Sequence, residues 1–84
     1  MYKAVITVNF KKSILDPQGN AVQKALVSLG YQNVSEVRVG KHIEVIMESD
    51  SAEEAGKQAE EMCSRLLANP VIEEYTIDVA EVKQ

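Results

Sequence analysis

The fold of this chain turns on residues 34–47, Val34-Ser35-Glu36-Val37-Arg38-Val39-Gly40-Lys41-His42-Ile43-Glu44-Val45-Ile46-Met47. Val34, Val37 and Val39 lead into Gly40-Lys41. Beyond the glycine, Ile43, Val45 and Met47 fall on one face, against His42, Glu44 and Glu48 on the other. Alternation of this kind on the far side of a glycine predicts two short strands joined by a tight turn. If both strands form, the chain has four in all.

Upstream, Tyr2, Ala4, Ile6, Val8 and Phe10 are apolar at every second position, and Lys3, Thr7 and Asn9 interrupt the other face, so 2–10 reads as a half-buried strand. Ala21, Val22, Ala25, Leu26 and Leu29 then recur at spacings of three and four, and Gly30 follows as a left-handed stop, which predicts an amphipathic helix. Downstream, Ser51-Ala52-Glu53-Glu54 has the pattern of a capping box. The helix behind it sets Ala52, Ala55, Ala59, Met62, Cys63, Leu66 and Leu67 on one stripe and stops before Asn69-Pro70, since proline cannot continue it. Ile72, Tyr75, Ile77 and Val79 predict the last strand.

The order βαββαβ, with short connections and right-handed crossovers, implies an α+β chain forming a single domain over residues 1–84. The expected architecture is a ferredoxin-like two-layer sandwich, a four-stranded antiparallel sheet with two helices on one face. The other face would carry Lys3, Val5, Thr7, Arg38, His42, Glu44, Ile46 and Thr76, a mixed set that suits a second copy. Self-association through the sheet surface or its edges is therefore expected.

Composition excludes several classes. Thirteen acidic residues against nine basic ones give a net charge of -4. That is the wrong sign for a surface that must displace counterions from nucleic acid. Cys63 is the single cysteine, so no intrachain disulfide and no thiol pair for a metal or redox site is available. No stretch reaches the roughly 18 uninterrupted apolar residues of a membrane span. The expectation is a soluble, untargeted, cytoplasmic protein.

The junction Ser13-Ile14-Leu15-Asp16-Pro17-Gln18-Gly19-Asn20-Ala21-Val22 admits two readings. Asp16 can cap the helix with Pro17 at its first position, where no hydrogen bond is lost. Gly19 would then sit at the third helical position, where glycine costs about 1 kcal/mol relative to alanine. Alternatively, Asp16 to Gly19 form a turn and the helix begins at Asn20, with Gln23 three residues on; this version is slightly preferred. Either way, glycine leaves bare backbone near a helix start, open to a partner or an anion.

The remaining candidates carry little chemistry. His42, the single histidine, shares a strand face with Glu44 and reads as an exposed polar residue. Cys63 lies on an apolar stripe as a small hydrophobe without an activating base. Glu53, Glu54, Glu60 and Glu61 form a solvated helix face, and no metal-ligand triad stands out. Arg38 and Lys41 flank the hairpin glycine, where a purposeful placement and a solvated tip are equally good accounts. Sandwiches that recognise RNA need aromatic-rich strand motifs, metallochaperones a cysteine pair in the first loop, and acylphosphatases an arginine in a glycine-rich anion loop. None is present, which leaves a ligand-sensing regulatory domain or an assembly subunit.

The spacing of Asp16-Pro17-Gln18-Gly19, Ala25-Leu26, Leu29-Gly30-Tyr31, Val34, Val37-Arg38, Gly40-Lys41 and Glu44 resembles the PurS family, the small subunit of bacterial and archaeal phosphoribosylformylglycinamidine synthase. The likeness spans nearly the whole chain. It implies the fourth step of de novo purine synthesis, in which formylglycinamide ribonucleotide, ATP and glutamine give formylglycinamidine ribonucleotide, ADP, phosphate and glutamate. In that family a glutaminase subunit (PurQ) releases ammonia and a synthetase subunit (PurL) spends ATP, with Mg expected there too. The small chain carries no catalytic, cofactor or metal residues; it is a dimeric bridge that assists ammonia transfer. The resemblance makes Asp16, Pro17, Gln18, Gly19, Arg38, Gly40 and Lys41 the candidates for contact with the larger subunits, Gly19 through accessible backbone. The alternative reading is a stand-alone dimeric sensor that binds an amino acid or nucleotide at its dimer edge.

Overall fold

A computed structural model describes residues 1–83. Three strands form, β1 (Tyr2–Phe10), β2 (Lys41–Met47) and β3 (Glu73–Glu81), in one antiparallel sheet of order β2-β1-β3. Helix α1 (Pro17–Ser28) joins β1 to β2, and α2 (Ala52–Met62), prolonged by a π-helical turn at Cys63–Leu67, joins β2 to β3. The expected four-stranded sheet is thereby corrected to three strands among the described residues. The missing strand is the first half of the 34–47 stretch.

The physical reason lies at Gly40. The hairpin reading needs a chain reversal there, but the single positive-φ residue among those described is Gly30, at φ 105°. The chain instead enters β2 at Lys41 without a left-handed turn, and residues 34–39 do not pair with it. They cannot pair with β1 either, because β2 and β3 occupy its two sides. The polar backbone of 34–39 is satisfied by side chains instead: Asp16 Oδ2 accepts from the Val39 amide at 2.8 Å, and Gln23 Nε2 donates to the Val34 carbonyl at 3.0 Å. Gly40 is small for another reason. A Cβ there would stand 2.6 Å from the Val8 carbonyl oxygen and would also strike the Asn9 side chain.

The core sits under α2. Ala4, Ile6 and Val8 of β1 are buried against Ala55, Ala59 and Cys63, with Ala68 closing one end. Two alanines one turn apart let the helix approach the sheet closely, and Ile43, Val45, Tyr75 and Ile77 pack around the rim. Ser51 caps α2 by accepting from the Glu54 amide at 3.1 Å, as the sequence pattern predicts. The opposite sheet face places Lys3, Val5 and Thr7 beside Glu44, His42, Ile46 and Thr76 by register. Arg38, expected with them, lies outside the sheet.

α1 is separate from this body. It packs extensively on neither the strands nor α2, and the chain measures 51 × 29 × 15 Å. A nine-residue strand is about 30 Å long and a twelve-residue helix about 18 Å, so the long axis accommodates α1 beyond the end of the sheet. The radius of gyration is 16.4 Å, against about 12 Å for a compact chain of this length.

Candidate functional site

The base of this arm gathers most of the residues singled out from sequence. β1 ends at Phe10, and after a turn closed by the Ile14 amide on the Lys11 carbonyl the chain reaches Asp16. Asp16 is the N-cap of α1, with Pro17 first in the helix, so the Asn20-capped alternative is not adopted. The Asp16 carboxylate is nearly buried, at 7% exposure. Oδ1 accepts from the Gly19 amide and Oδ2 from the Val39 amide, each at 2.8 Å. One carboxylate thus ties the outgoing helix to the returning segment. These two amide hydrogen bonds, with a smaller contribution from the nearby Arg38 guanidinium, hold its pKa below the ordinary aspartate value.

Gly19 is buried, and its amide is already used by Asp16. The expected accessible backbone at this position is therefore corrected. A Cβ on Gly19 would run into the Val37 carbonyl oxygen and stand 2.9 Å from Asp16 Oδ2. The glycine serves close approach of the two legs of the arm.

Arg38 braces the same junction. Its Nη2 donates to the Lys12 carbonyl at 2.9 Å, and its Nε pairs with Glu36 at 2.8 Å. A cleft of about 390 Å³ opens between this guanidinium and Lys12, Leu15, Asn20 and Gln23. Gln18, Gly40 and Lys41 border a second cleft of about 170 Å³, with Phe10 and Glu73. Lys41 leans away from the arm toward the body, 3.7 Å from Glu73 and 3.4 Å from the Leu67 carbonyl. The seven candidates therefore cluster around the arm base, on two sides of it.

The far end of α1 is equally well built. The Tyr31 amide donates to the Leu26 carbonyl at 3.1 Å and the Gly30 amide to Val27 at 3.0 Å. This is the Schellman arrangement, which needs the left-handed glycine. The Asp16–Val39 and Gln23–Val34 bonds span 23 and 11 residues, and no local pattern announces them.

Elsewhere, His42 and Glu44 lie 3.3 Å apart on the exposed sheet face. Glu44 is held below its ordinary pKa by hydrogen bonding to His42 first, then to Lys3. Cys63 is buried, and desolvation raises its thiol pKa, the opposite of nucleophile activation. The Tyr75 hydroxyl donates to Glu60 at 2.6 Å, and that bond pushes its pKa up to about 12. Among the described residues no group of three or more His, Cys, Asp or Glu side chains converges as a metal site. This arrangement can position an arm.

Comparison with known proteins agrees with an architecture shared along the whole chain. The PurS family profile, described as phosphoribosylformylglycinamidine (FGAM) synthase, matches residues 3–81. The phosphoribosylformylglycinamidine synthase subunit PurS of Methanocaldococcus jannaschii is 46% identical over 83 residues, covering 99% of this chain and 100% of that one. The subunit of the same name from Bacillus subtilis is 49% identical over 82 residues, covering 98% and 96%. The M. jannaschii PurS crystal structure superposes with a TM-score of 0.89 over 99% of this chain and all of that one. A chain in the structure of PurLQS from Thermotoga maritima, 30% identical, gives 0.84 over 94% and 96%.

Proposed function

Given that the chain belongs to the PurS family and is a subunit of phosphoribosylformylglycinamidine synthase, we propose that it works as a bridge without an active site of its own. It joins the glutaminase subunit, PurQ, to the synthetase subunit, PurL, and associates with copies of itself. The reaction is the ATP-dependent transfer of glutamine nitrogen in de novo purine synthesis. ATP and Mg belong to the synthetase, and the setting is the cytoplasm. Among the described residues no helix is long and apolar enough to cross a membrane.

The observation that carries this reading is the end-to-end match to PurS chains, one of them a component of PurLQS from T. maritima. The geometry accords with it. The buried residues serve packing, and the Asp16 carboxylate at the arm base ties backbone to backbone. A bridge contributes to catalysis through proximity: ammonia released in one subunit reaches the next active site before water protonates and dilutes it. Asp16, Pro17, Gln18, Gly19, Arg38, Gly40 and Lys41 mark the region proposed to face the larger subunits, with Arg38 and Lys41 as its cationic groups.

The test is formylglycinamidine ribonucleotide formation by the synthetase and glutaminase with and without this protein, fed glutamine or ammonium chloride. Glutamine-dependent turnover should require the protein, while ammonia-dependent turnover survives its omission. Equal rates in its presence and absence would overturn the bridging role.

A further inference from the structure

Charge is divided unevenly between the arm and the body. Residues 11–41 carry Lys11, Lys12, Lys24, Arg38 and Lys41 against Asp16 and Glu36, a net charge of +3. The rest of the chain carries four cations against eleven carboxylates, a net charge of -7. The molecule is 51 Å long, several times the roughly 8 Å over which physiological salt screens exposed charges. The acidic body therefore does not cancel the field of the arm, and the overall -4 contains a basic end.

At one place that end is built to receive an anion. The cleft of about 390 Å³ at the arm base is lined by Lys12 and Arg38 together with Ile14, Leu15 and Val37. Arg38 is fixed there by one N–H on Glu36 and another on the Lys12 carbonyl, and three of its five donors have no protein acceptor among the described residues. Its side chain is 33% exposed, so the guanidinium is held in place and not freely solvated. Lys12 is exposed and makes no ion pair among the described residues. Of the two carboxylates on the cleft, Asp16 is occupied by the Gly19 and Val39 amides, and Glu36 pairs with Arg38 Nε. Beside these cations Leu15 stands 75% exposed.

We infer that this cleft takes an acidic segment of one of the larger subunits, with a carboxylate seated between Lys12 and Arg38 and an adjoining apolar side chain on Leu15. The inference rests on the bridging role proposed above. It adds the chemistry of one contact and a residue, Lys12, that lies outside the motifs carrying the family likeness. A guanidinium pairs with a carboxylate through two parallel hydrogen bonds, so a fixed Arg38 sets register, while Lys12 and the other arm cations speed encounter. A small anion would neutralise the cleft and leave Leu15 bare. A nucleic acid would meet a body that carries -7 and repels a chain of phosphates.

The experiment measures the dissociation constant of the full chain from the synthetase and glutaminase subunits at about 0.1 M and about 1 M salt. The proteins compared are the unaltered chain, Lys12→Glu, Lys12→Gln and Lys57→Glu, the last making the same charge change at an exposed position of α2. Arg38 is left in place because it also braces the arm base. Circular dichroism monitors the fold, Lys12→Gln serves if Lys12→Glu does not fold, and sedimentation gives the mass of each free protein. At the lower salt Lys12→Glu should weaken binding about tenfold and Lys12→Gln less, both losses shrinking at the higher salt, while Lys57→Glu stays within about a factor of two. Lys12 variants that bind as tightly as the unaltered chain, or a Lys57→Glu loss of equal size, overturn the inference. A Lys12 variant whose free mass changes makes the occupant a second copy and overturns it as well. An unaltered chain that binds neither larger subunit overturns the bridging role and this inference with it, an outcome distinct from binding that ignores Lys12.

Discussion

The body and the arm are built on opposite terms. In the body, Ile6 and Val8 are fully buried under a helix whose contact face is Ala55, Ala59 and Cys63, so burial itself holds the parts together. In the arm, α1 is fixed at its base by amides donating to Asp16 and along its length by Gln23, while Val22 and Leu29 of its apolar stripe are exposed. Direction comes from polar clamps there, and the hydrophobic surface is left for something else. The contrast teaches that in so small a chain the residues that shape an element need not be the ones that stabilise it.

The largest effect should come from the body. Ile6→Ala removes a fully buried side chain and should cost about 3 kcal/mol, seen as a fall of more than about 10 °C in melting temperature. A loss confined to a degree or two would break the picture of a body held by burial.

Asp16→Ala addresses the arm alone. Hydrogen exchange of α1 amides, Gly19 included, should accelerate about tenfold in the free chain while β1 amides stay within about a factor of two. Acid should mimic the substitution. The native state holds the Asp16 pKa below its unfolded value, so its contribution is present above the ordinary aspartate range and is lost as pH falls through the lowered native pKa. Protection of the Gly19 and Val39 amides should therefore decline below about pH 4 before the β1 amides respond. Arm and body exchanging in step at every pH would erase the distinction.

The smallest effect should come from Lys41→Ala, which removes an exposed cation 3.7 Å from Glu73. Its cost in stability should lie below about 1 kcal/mol. A larger loss would show that arm base and body are more tightly joined than the geometry indicates.

Much of the body is legible in the sequence because its signals are local. Period-two alternation marks β1, β2 and β3, and Ser51 marks the start of α2; in the arm, Gly30 marks the end of α1 in the same local way. The candidate site was legible as a cluster of residues but not as a mechanism. The sequence offers Asp16-Pro17 as a cap only as the less favoured of two readings, because Gly19 at the third helical position looks costly, yet the chain uses that cap and packs Gly19 against Val37. The partner that decides this lies 18 positions away, and no local pattern encodes it. Residues 34–39 misled for a related reason. Valines flanking a glycine satisfy a hairpin template, while the outcome depended on β1 having both edges occupied and on Val39 finding its acceptor in Asp16.

By itself, then, the amino-acid order determined the existence of two helices and of three strands, and the family likeness carried by Asp16-Pro17-Gln18-Gly19 and Val37-Arg38-Val39-Gly40-Lys41. These follow from periodicity, capping and residue type, which act over a few positions. Only the tertiary structure decided that the sheet stops at three strands, that Gly40 is a point of close approach and not a turn, and that α1 stands off as an arm. Each of those depends on which distant backbone groups compete for the same hydrogen-bond partner or the same space. That competition is settled only once the whole chain is in place.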